Sequence, residues 1–399
     1  MMKTAIIGGG AAGFFLAVNL KEMVPEMEVS IFERGSRVLT KVEVSGGGRC
    51  NCTNSFAAVG DLSAVYPRGH RLLKRLFNVF DHESAFRWFE SHGVPLVTQS
   101  DECVFPAAQD SHAVIDCFLR LARQYGIHIR TQEKVESLAA LSGFDFVAVT
   151  TGGSSRAGHF EWLSSAGHQV EPPVPSLFTF SIDDRALRAL MGVVADGASV
   201  MFPGTKLRAT GPLLITHWGM SGPAILKLSS YGARLLAENQ YRLPLAVNWV
   251  GCDDAAIQQR LSEMTVTNAQ RQAGTVNPFG LPQRLWSYLG ERSLGERLQL
   301  RWGALGKKDV NRLTNTLGND TYLIGGRAAF KDEFVTCGGV ALKSVNPSTL
   351  ESRHVSHLYF AGEVLDIDGV TGGFNFQAAW TTAYVVAQSI AREARRTLT

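Results

Sequence analysis

Several features that would identify a metal, membrane or secreted protein are missing from this sequence. Its six cysteines show no C-x-x-C spacing, which excludes the common zinc sites and makes reduced thiols the expectation. No uninterrupted apolar run approaches the ~20 residues of a membrane-spanning helix. The early apolar stretch, residues 4–20, is broken by glycines and lacks the cleavage pattern of a signal peptide. We therefore expect a cytoplasmic protein with no metal site and no membrane partner.

Net charge and repetition are also scarce. The formal net charge is +3, which is too small to indicate a partner, and the chain has no internal repeat and no low-complexity tract. With 45% hydrophobic and 19% charged residues, the composition is that of a globular protein. A chain of 399 residues exceeds the usual size of one compact core, so two or three domains are expected.

A glycine-rich turn near the start of the chain is the most informative feature that is present. An apolar run leads into Gly8, Gly10 and Gly13, and Glu33 follows a second apolar run twenty residues later. Gly8 and Gly10 allow the backbone to approach a pyrophosphate, and Gly13 allows the next helix to pack closely on the strand. This order of strand, glycines, helix, strand and acid predicts a dinucleotide-binding βαβ unit. An ordinary βα turn would leave Glu33 unexplained.

The helix after this turn is expected over residues 11–23. Its first backbone N–H groups, at Ala11 and Ala12, can bind phosphate without a cationic side chain. Glu33 can accept both hydrogen bonds from a ribose diol and would repel a 2′-phosphate, which favours FAD or NAD. Arg34 follows at the same strand end and is included among the candidate cofactor contacts.

A second glycine-rich segment, residues 41–54, is predicted to be a functional loop because it holds too much glycine for a helix or strand. Its glycines expose N–H groups, Arg49 supplies a fixed charge, and its Asn and Thr side chains offer hydrogen bonds. A flexible surface loop is the alternative, and Cys50 with Cys52 could instead form a redox pair. The candidate cofactor contacts here are Lys41, Ser45, Gly46, Gly47, Gly48, Arg49, Cys50, Asn51, Thr53 and Asn54.

Apolar spacing organises the residues that follow this loop. It predicts helices within 66–92 and 110–125, and strands at 127–131, 133–138 and 144–150. The last strand ends in Thr151 and Gly152, which resembles the turn where FAD-binding folds pass beneath the dinucleotide. Val135 lies where such folds commonly meet the adenine. These three residues are therefore candidate cofactor contacts.

The pattern changes at the prolines of residues 172–175. Short β-like runs follow at 177–182, 199–202, 213–216 and 241–250, which predicts an inserted β-rich domain. Residues 253–318 then carry helical patterns broken by prolines, which predicts a small helical subdomain. Segment 284–331 contains nine Lys or Arg against four acids, with Trp286, Tyr288 and Trp302 nearby. This segment could face RNA, although a solvated helix face is the commoner explanation.

The last part of the chain returns to the first domain. A hydrophobic strand at 358–363 meets glycine and acidic residues, and a helix is predicted over 378–394. The N-terminus of that helix can stabilise negative charge, which in a flavin site would develop at the N1–C2 edge of the reduced ring. A plain β-turn-α connection is the alternative. The candidate cofactor contacts are Gly362, Glu363, Asp366, Gly372, Gly373, Phe374, Asn375 and Gln377.

Taken together, the glycine turn with Glu33 and the motifs at 45–51 and 360–375 resemble one known family. This is the bacterial family of YhiN, BaiN and aminoacetone-oxidase-like FAD-binding flavoproteins, and the resemblance extends to residues 216–223 and 335–340. It implies an α/β fold in which a Rossmann-like, GR2-type FAD-binding domain is interrupted by an inserted β-barrel and a small helical subdomain. The implied domains are 1–172 and 333–399 for FAD binding, 173–252 for the β-barrel and 253–332 for the helical subdomain.

Two departures from the family pattern affect what can be carried over. Many members have an extended glycine-rich stretch after the Thr-Gly-Gly turn, whereas residues 154–159 here lead almost directly into a helix. The family sequence Thr-Met-Glu-Ser-Lys is Thr-Leu-Glu-Ser-Arg at residues 349–353, which is chemically mild. The shorter stretch leaves the shape of the substrate pocket open.

The resemblance also implies a reaction class. The chain has no second strand-glycine-helix fingerprint, so NAD(P)H would have to visit the flavin transiently. Family members are associated with reduction of activated C=C bonds, in ribosomal RNA uridine or unsaturated bile-acid intermediates, and with oxidation of a small amino ketone. We expect a FAD-dependent reductase that uses NAD(P)H, with an enone-like molecule or RNA uridine as substrate.

The residues leave further interpretations open. His217 in the insert could protonate the substrate carbon, or it could be a structural hydrogen-bonding residue. An oxygen-using amine or aminoketone oxidase is a second function, and a non-catalytic RNA-associated flavoprotein with ribosomal RNA on segment 284–331 is a third. The oligomeric state is also left open.

Overall fold

A computed structural model describes residues 1–154, 158–327 and 335–398 and divides the chain into two compact units. Unit 1 comprises Met1–Pro175 and Val335–Thr399, and unit 2 comprises Ser176–Phe334. The chain therefore leaves unit 1, builds unit 2 and returns. Two parts of the sequence analysis lie outside the described residues. They are residues 155–157, in the shortened stretch after the Thr-Gly-Gly turn, and Lys331 of the basic segment.

The described residues form strands that are numbered here along the chain. They are β1 (Lys3–Ile7), β2 (Glu28–Glu33), β3 (Thr53–Asn54), β4 (Leu96–Thr98), β5 (Cys103–Pro106), β6 (His128–Thr131), β7 (Phe146–Val149), β8 (Val170–Ser176), β9 (Phe180–Ile182), β10 (Val194–Ala195), β11 (Ser199–Met201), β12 (Arg208–Thr210), β13 (Leu213–Ile215), β14 (Gly219–Ser221), β15 (Pro244–Asn248), β16 (Asp320–Arg327), β17 (Val335–Val340) and β18 (Leu358–Phe360).

The α-helices are numbered in the same way. They are α1 (Ala11–Met23), α2 (Thr40–Val44), α3 (His70–Leu76), α4 (His82–Ser91), α5 (His112–Gln124), α6 (Glu161–Ser165), α7 (Arg185–Arg188), α8 (Pro223–Tyr231), α9 (Ala233–Glu238), α10 (Asp254–Thr267), α11 (Gln283–Leu294), α12 (Lys307–Gly318) and α13 (Phe374–Leu398). None of the described helices is both long and apolar enough to cross a bilayer.

Unit 1 is built on a five-stranded sheet in the order β18-β7-β1-β2-β6, and every neighbouring pair is parallel. Both faces of such a sheet are covered, which explains why the apolar runs of β1 and β7 do not alternate with polar residues. In parallel strands the carboxyl ends meet at one edge. The turns after β1, β2, β7 and β18 therefore lie side by side, and this edge is where open α/β sheets bind ligands.

Helices α1 and α13 pack against each other through an aromatic cluster that also includes Trp88 of α4. The ring centroid of Phe15 lies 4.5 Å from that of Trp88 and 5.1 Å from that of Trp380. These side chains are buried, and aromatic pairs at such distances add ~0.5–1.5 kcal/mol each beyond area burial. The cluster holds the two helices in a fixed relation to each other within unit 1.

Unit 2 contains an eight-stranded sheet in the order β10-β13-β14-β9-β16-β15-β11-β12, with antiparallel neighbours. Helices α10, α11 and α12 share one apolar core with this sheet, in which Trp249, Trp286 and Trp302 are fully buried. The predicted fold class, a Rossmann-type domain interrupted by a β-rich insert with a helical part, is confirmed. The two tryptophans of the basic segment, Trp286 and Trp302, belong to this core.

The basic segment of unit 2 is partly neutralised within its own unit. Arg292 lies 3.0 Å from a carboxylate oxygen of Asp320, and Arg297 lies 2.7 Å from one of Asp309. Hydrogen bonding to Arg297 first, against a smaller effect of desolvation, lowers the pKa of Asp309. These ion pairs tie α11 to β16 and the turn after α11 to α12, so they explain part of the segment's charge without RNA.

Two predictions about local structure are corrected. Residues 41–54 are not all loop, because α2 ends at Val44, a 3₁₀ turn covers Ser45–Gly47, and Thr53–Asn54 pair with β5. The first glycine of this segment is Gly46, so nothing before it prevents a helix. The last helix begins at Phe374 rather than residue 378, because Gly373 ends the turn immediately before it.

The strand predicted at 133–138 is wrong. Residues 133–137 have no regular structure, and a 3₁₀ turn covers Leu138–Leu141. A strand needs a ladder of hydrogen bonds to a neighbouring strand. Among the described residues, the only such bond here is from Glu133 N–H to the carbonyl of Glu33. Val135 is half-buried and follows this contact by two residues.

A surface ion pair in unit 1 should make stability depend on pH. Burial alone would lower the pKa of His92, but hydrogen bonds from its ring to Glu22 and to the carbonyl of Trp88 raise it above its usual value. The stabilisation is therefore fully present below the unfolded pKa of ~6.5 and is lost as pH rises through the folded value.

We expect Glu22→Gln to lower the free energy of unfolding by up to about 1 kcal/mol at low pH, because the pair is partly exposed, and by little at high pH. Urea unfolding at about pH 6 and pH 9 measures this difference. Glu83→Gln, which removes a carboxylate paired with Arg87, is the control and should show no such dependence. Equal losses at both pH values for Glu22→Gln would contradict the assignment.

Candidate cofactor site and the hairpin of the second unit

The turn after β1 depends on glycine in two different ways. Gly8 has φ +116°, and a Cβ there would lie 2.4 Å from the carbonyl oxygen of Thr150. A Cβ on Gly13 would lie 2.1 Å from the carbonyl oxygen of Gly8. By contrast, a Cβ on Gly10 would meet no atom within 4 Å. Gly8 and Gly13 are therefore required by packing, whereas Gly10 leaves open space at the N-terminus of α1.

The N-terminus of α1 lacks a side-chain cap. Gly10 is the N-cap residue, and no side chain accepts a hydrogen bond from the first N–H groups there. These donors and the positive end of the helix dipole, at Ala11 and Ala12, face the space left by Gly10. A phosphate group is the ligand that such an N-terminus binds.

Glu33 stabilises this turn in a way that sequence spacing did not reveal. One carboxylate oxygen accepts a hydrogen bond from Gly9 N–H at 3.0 Å, and the other accepts one from Gly35 N–H at 2.7 Å. Each oxygen can accept a further hydrogen bond, so a ribose diol can still be bound. Arg34 is exposed beside it.

The second helix N-terminus of the site, at Phe374, is connected to the residues of the glycine-rich segment. In the orientation that satisfies both of its ends, the Asn51 amide donates to the carbonyl of Thr53 at 3.0 Å and accepts from Gly373 N–H at 3.2 Å. A Cβ on Gly373, where φ is +88°, would lie 2.1 Å from the carbonyl oxygen of Thr53. Asn54 donates to the carbonyl of Gly372 at 3.0 Å.

Two further hydrogen bonds join the same segments in the interior. The Thr53 hydroxyl donates to the Gln377 side chain at 2.6 Å, and the Trp380 indole donates to the carbonyl of Cys52 at 2.8 Å. Gln377 is fully buried. Its side chain therefore connects α13 to β3.

Glu363 joins three segments of unit 1. Its carboxylate accepts hydrogen bonds from Lys41 Nζ at 2.9 Å and from Thr336 N–H at 2.8 Å. The turn after β7 passes close by, since a Cβ on Gly152 would lie 3.8 Å from a Glu363 oxygen. Lys41, Thr151, Gly152, Gly362 and Glu363 therefore lie close together within unit 1.

Glycines 46–48 all have positive φ values, and a Cβ on Gly47 or Gly48 would meet no atom within 4 Å. This part of the segment is open, as at Gly10. Arg49 follows it and is held by the protein: its guanidinium carbon lies 4.2 Å from the centre of the Phe105 ring, and its Nε donates to the carbonyl of Gly46 at 3.1 Å. Ser45 donates to the carbonyl of Val42.

The cysteines of this segment are not arranged for thiol chemistry. The sulfur atoms of Cys50 and Cys52 lie 3.7 Å apart without a disulfide, and both residues are fully buried. Burial first, and then the hydrogen bond with Cys50, raises the pKa of the Cys52 thiol well above its usual value. A buried thiol of this kind is a poor nucleophile, which favours the structural interpretation.

Sequence reasoning missed a buried support beneath α13. The Arg68 guanidinium pairs with the fully buried carboxylate of Asp368, and the Tyr66 hydroxyl donates to the carbonyl of Phe374 at 2.8 Å. Asn375 exchanges hydrogen bonds with the backbone of Gly369. Asp368 stands two residues after Asp366 in the printed sequence, and that repeated acid was the available signal.

His217 lies in unit 2, on a tight hairpin between β13 and β14. Thr216 and Gly219 exchange backbone hydrogen bonds of 2.8 and 3.2 Å, so that His217 and Trp218 occupy the tip. Both are exposed, and Trp218, at 39%, is the most exposed tryptophan. A Cβ on Gly219 would lie 2.5 Å from the carbonyl of Phe180, so this glycine fixes the hairpin against β9.

The residues of unit 1 fit a flavin dinucleotide. The open space at Gly10, the uncapped N-terminus of α1 and the Glu33 carboxylate lie at the carboxyl edge of one parallel sheet. Gly47 and Gly48 leave further open space in the segment that follows α2. Pyrophosphate, ribose and an electron-rich ring edge are the groups such donors and acceptors bind. Among the described residues, no cluster of three or more His, Cys, Asp or Glu could hold a metal.

A protein-family model and several known proteins match this chain over nearly its full length. The family model described as the HI0933-like protein Rossmann domain matches residues 2–389. A ribosomal RNA dihydrouridine synthase of Haemophilus influenzae is 26% identical over 97% of this chain and 98% of its own. One of Escherichia coli is 27% identical over 96% and 97%. A 3-dehydro-bile acid delta(4,6)-reductase of Clostridium scindens is 26% identical over 98% and 99%.

Proposed function

Because the chain belongs to the HI0933-like Rossmann-domain family, a family of flavin-dependent oxidoreductases, we propose that it uses NAD(P)H to reduce a C=C bond conjugated to a carbonyl group. The resemblance predicted from the motifs, to YhiN-like flavoproteins, is thereby confirmed. The carboxyl edge of the parallel sheet, with its open glycines and helix N-termini, is the observation that carries the proposal.

The proposal places FAD along that edge. Gly8–Gly13 and the N-terminus of α1 would hold the pyrophosphate, and Glu33 would accept hydrogen bonds from the adenosine ribose. Glycines 46–48 and the turn at Gly372 and Gly373 would hold the flavin end. The remaining candidate contacts, including Arg34, Val135 and Asp366, would line the same ligand at its margins.

The reaction class comes from the chemistry that the relatives' names share. Dihydrouridine differs from uridine by two hydrogens across a ring C=C bond next to a carbonyl, and a delta(4,6)-reductase also saturates C=C bonds. Both substrates are electron-poor alkenes. We therefore propose RNA uridine or an enone-like small molecule as the substrate class of this chain.

The overall reaction is balanced by one hydride and one proton. NAD(P)H is oxidised to NAD(P)⁺, one alkene carbon gains a hydride, and the carbon next to the carbonyl gains a proton. When bound, FAD supplies the hydride chemistry. The N-terminus of α13 presents backbone N–H groups and a positive dipole end to negative charge, and a His217 ring nitrogen would hold the proton for the substrate carbon.

Anaerobic spectroscopy tests this proposal against an oxidase. We expect NADH or NADPH to bleach the flavin of the purified protein, and a suitable enone or uridine-containing ribosomal RNA to restore its absorbance with one alkene reduced per flavin. Mass spectrometry of the RNA would then show dihydrouridine. Flavin that is bleached by an amino ketone, not by NAD(P)H, and that gives peroxide with oxygen would contradict the proposal and favour an amine oxidase.

A further inference from the structure

A cleft at the C-terminal end of α13 has chemistry that the cofactor site does not use. It is an open cleft of about 630 Å³ and lies within unit 1. Its lining includes Met23, Tyr384, Gln388, Arg392, Arg395 and Arg396. That volume is within the ~300–1,000 Å³ of small-molecule sites.

The polar side chains of the cleft share one helix face. Tyr384, Gln388, Arg392 and Arg396 recur every four residues, which aligns them along α13. Tyr384 and Gln388 are half-buried, and Arg392 is exposed. The Tyr384 ring is fixed by stacking on Phe80, with 4.5 Å between centroids. The stripe therefore presents a rigid aromatic ring, an amide and guanidinium groups in sequence.

Helix stability alone does not explain this arrangement. Arg395 and Arg396 lie in the last turn, where cations stabilise the helix dipole, and they also contact the carbonyl of Met23 and the carboxylate of Glu393. Arg392 lies before that turn. Within residues 1–154, 158–327 and 335–398 it forms no ion pair.

We propose that this cleft binds a single-stranded RNA segment. A base would stack on Tyr384, Gln388 would hydrogen-bond to the edge of the base, and Arg392 would contact a flanking phosphate. Single-stranded RNA is recognised by this combination of an aromatic platform, polar side chains and guanidinium groups. The choice of RNA rests on the proposed function, in which RNA uridine is one of the two substrate classes. Binding of RNA in this cleft does not require the reduction reaction.

Fluorescence anisotropy with a labelled oligouridylate, without reductant, tests the cleft directly. We expect Arg392→Gln to weaken binding several-fold and to reduce the slope of log affinity against log salt by about 0.7, the value for one phosphate contact on a single strand. Tyr384→Leu, which keeps an apolar contact with Phe80, should weaken binding by about 5- to 150-fold through lost stacking.

Arg87→Gln on α4 is the matched control, since it removes the same charge from an exposed arginine outside the cleft. It should bind the oligouridylate as the wild type does, and flavin content and thermal unfolding of all variants should match. Wild-type protein that binds no RNA, or cleft variants that bind as tightly as wild type, would overturn the inference. That result would not affect the reduction of a small enone. The proposed function is therefore tested separately, by the anaerobic spectroscopy described above.

Discussion

A Gly10→Val protein is expected to fold normally and to lose its flavin. Gly10 has φ −94° and ψ −166°, a conformation that valine adopts readily, and a Cβ there meets no protein atom within 4 Å. The isopropyl group would instead fill the space in which the proposed pyrophosphate would approach the N-terminus of α1. We expect FAD affinity to fall by at least about 100-fold, or ~2.7 kcal/mol.

Two other glycine variants make this result interpretable. Gly143→Val introduces the same side chain at an exposed position where a Cβ is also unobstructed, and it should retain flavin and stability. Gly8→Ala places a Cβ 2.4 Å from the carbonyl of Thr150 at φ +116°, so it should lose both. Flavin absorbance per chain and the thermal midpoint are the two measurements. A yellow Gly10→Val protein with wild-type flavin content would contradict the placement of the pyrophosphate.

Replacing His217 is the second change with a large expected effect. His217 is the only histidine among residues 176–334, and it lies exposed at the tip of the hairpin between β13 and β14. If its ring delivers the proton to the substrate carbon, His217→Gln should lower turnover by about 10²- to 10⁴-fold. Glutamine keeps a hydrogen-bonding side chain but cannot supply that proton.

The two halves of the reaction separate this role from a structural one. Bleaching of the flavin by NAD(P)H should proceed in His217→Gln at the wild-type rate, and only the return of absorbance on adding the alkene should slow. His128→Gln, at an exposed position on β6, is the control and should leave both rates unchanged. If both rates fall in His217→Gln, or if neither rate falls, the assignment of His217 as the proton donor is contradicted.

The parts of unit 1 that the sequence predicted are those encoded locally. The bounds of α1 agree with the prediction, because the glycines before it and the apolar spacing within it are adjacent in sequence. The position of Glu33 at the end of β2 was also predicted by spacing alone. Its hydrogen bonds to Gly9 and Gly35 were not, since they depend on how the turn after β1 meets the end of β2.

Contacts between distant segments were beyond the sequence. Lys41 and Glu363 are separated by 322 residues, and nothing in the sequence near either residue indicates that their side chains form an ion pair. The Arg68–Asp368 pair that supports α13 was missed for the same reason. At Val135 the local pattern predicted a strand, but residues 133–137 have no regular structure, because strand formation depends on a neighbouring strand that the local pattern does not encode.

Titration of the flavin-free protein with FAD, followed by flavin fluorescence, tests the central claim most directly. The sheet edge of unit 1 predicts saturation at one FAD per chain for the wild type and no saturable uptake by Gly10→Val under the same conditions. Wild-type protein that stays colourless in the presence of FAD, or equal uptake by both proteins, would contradict it.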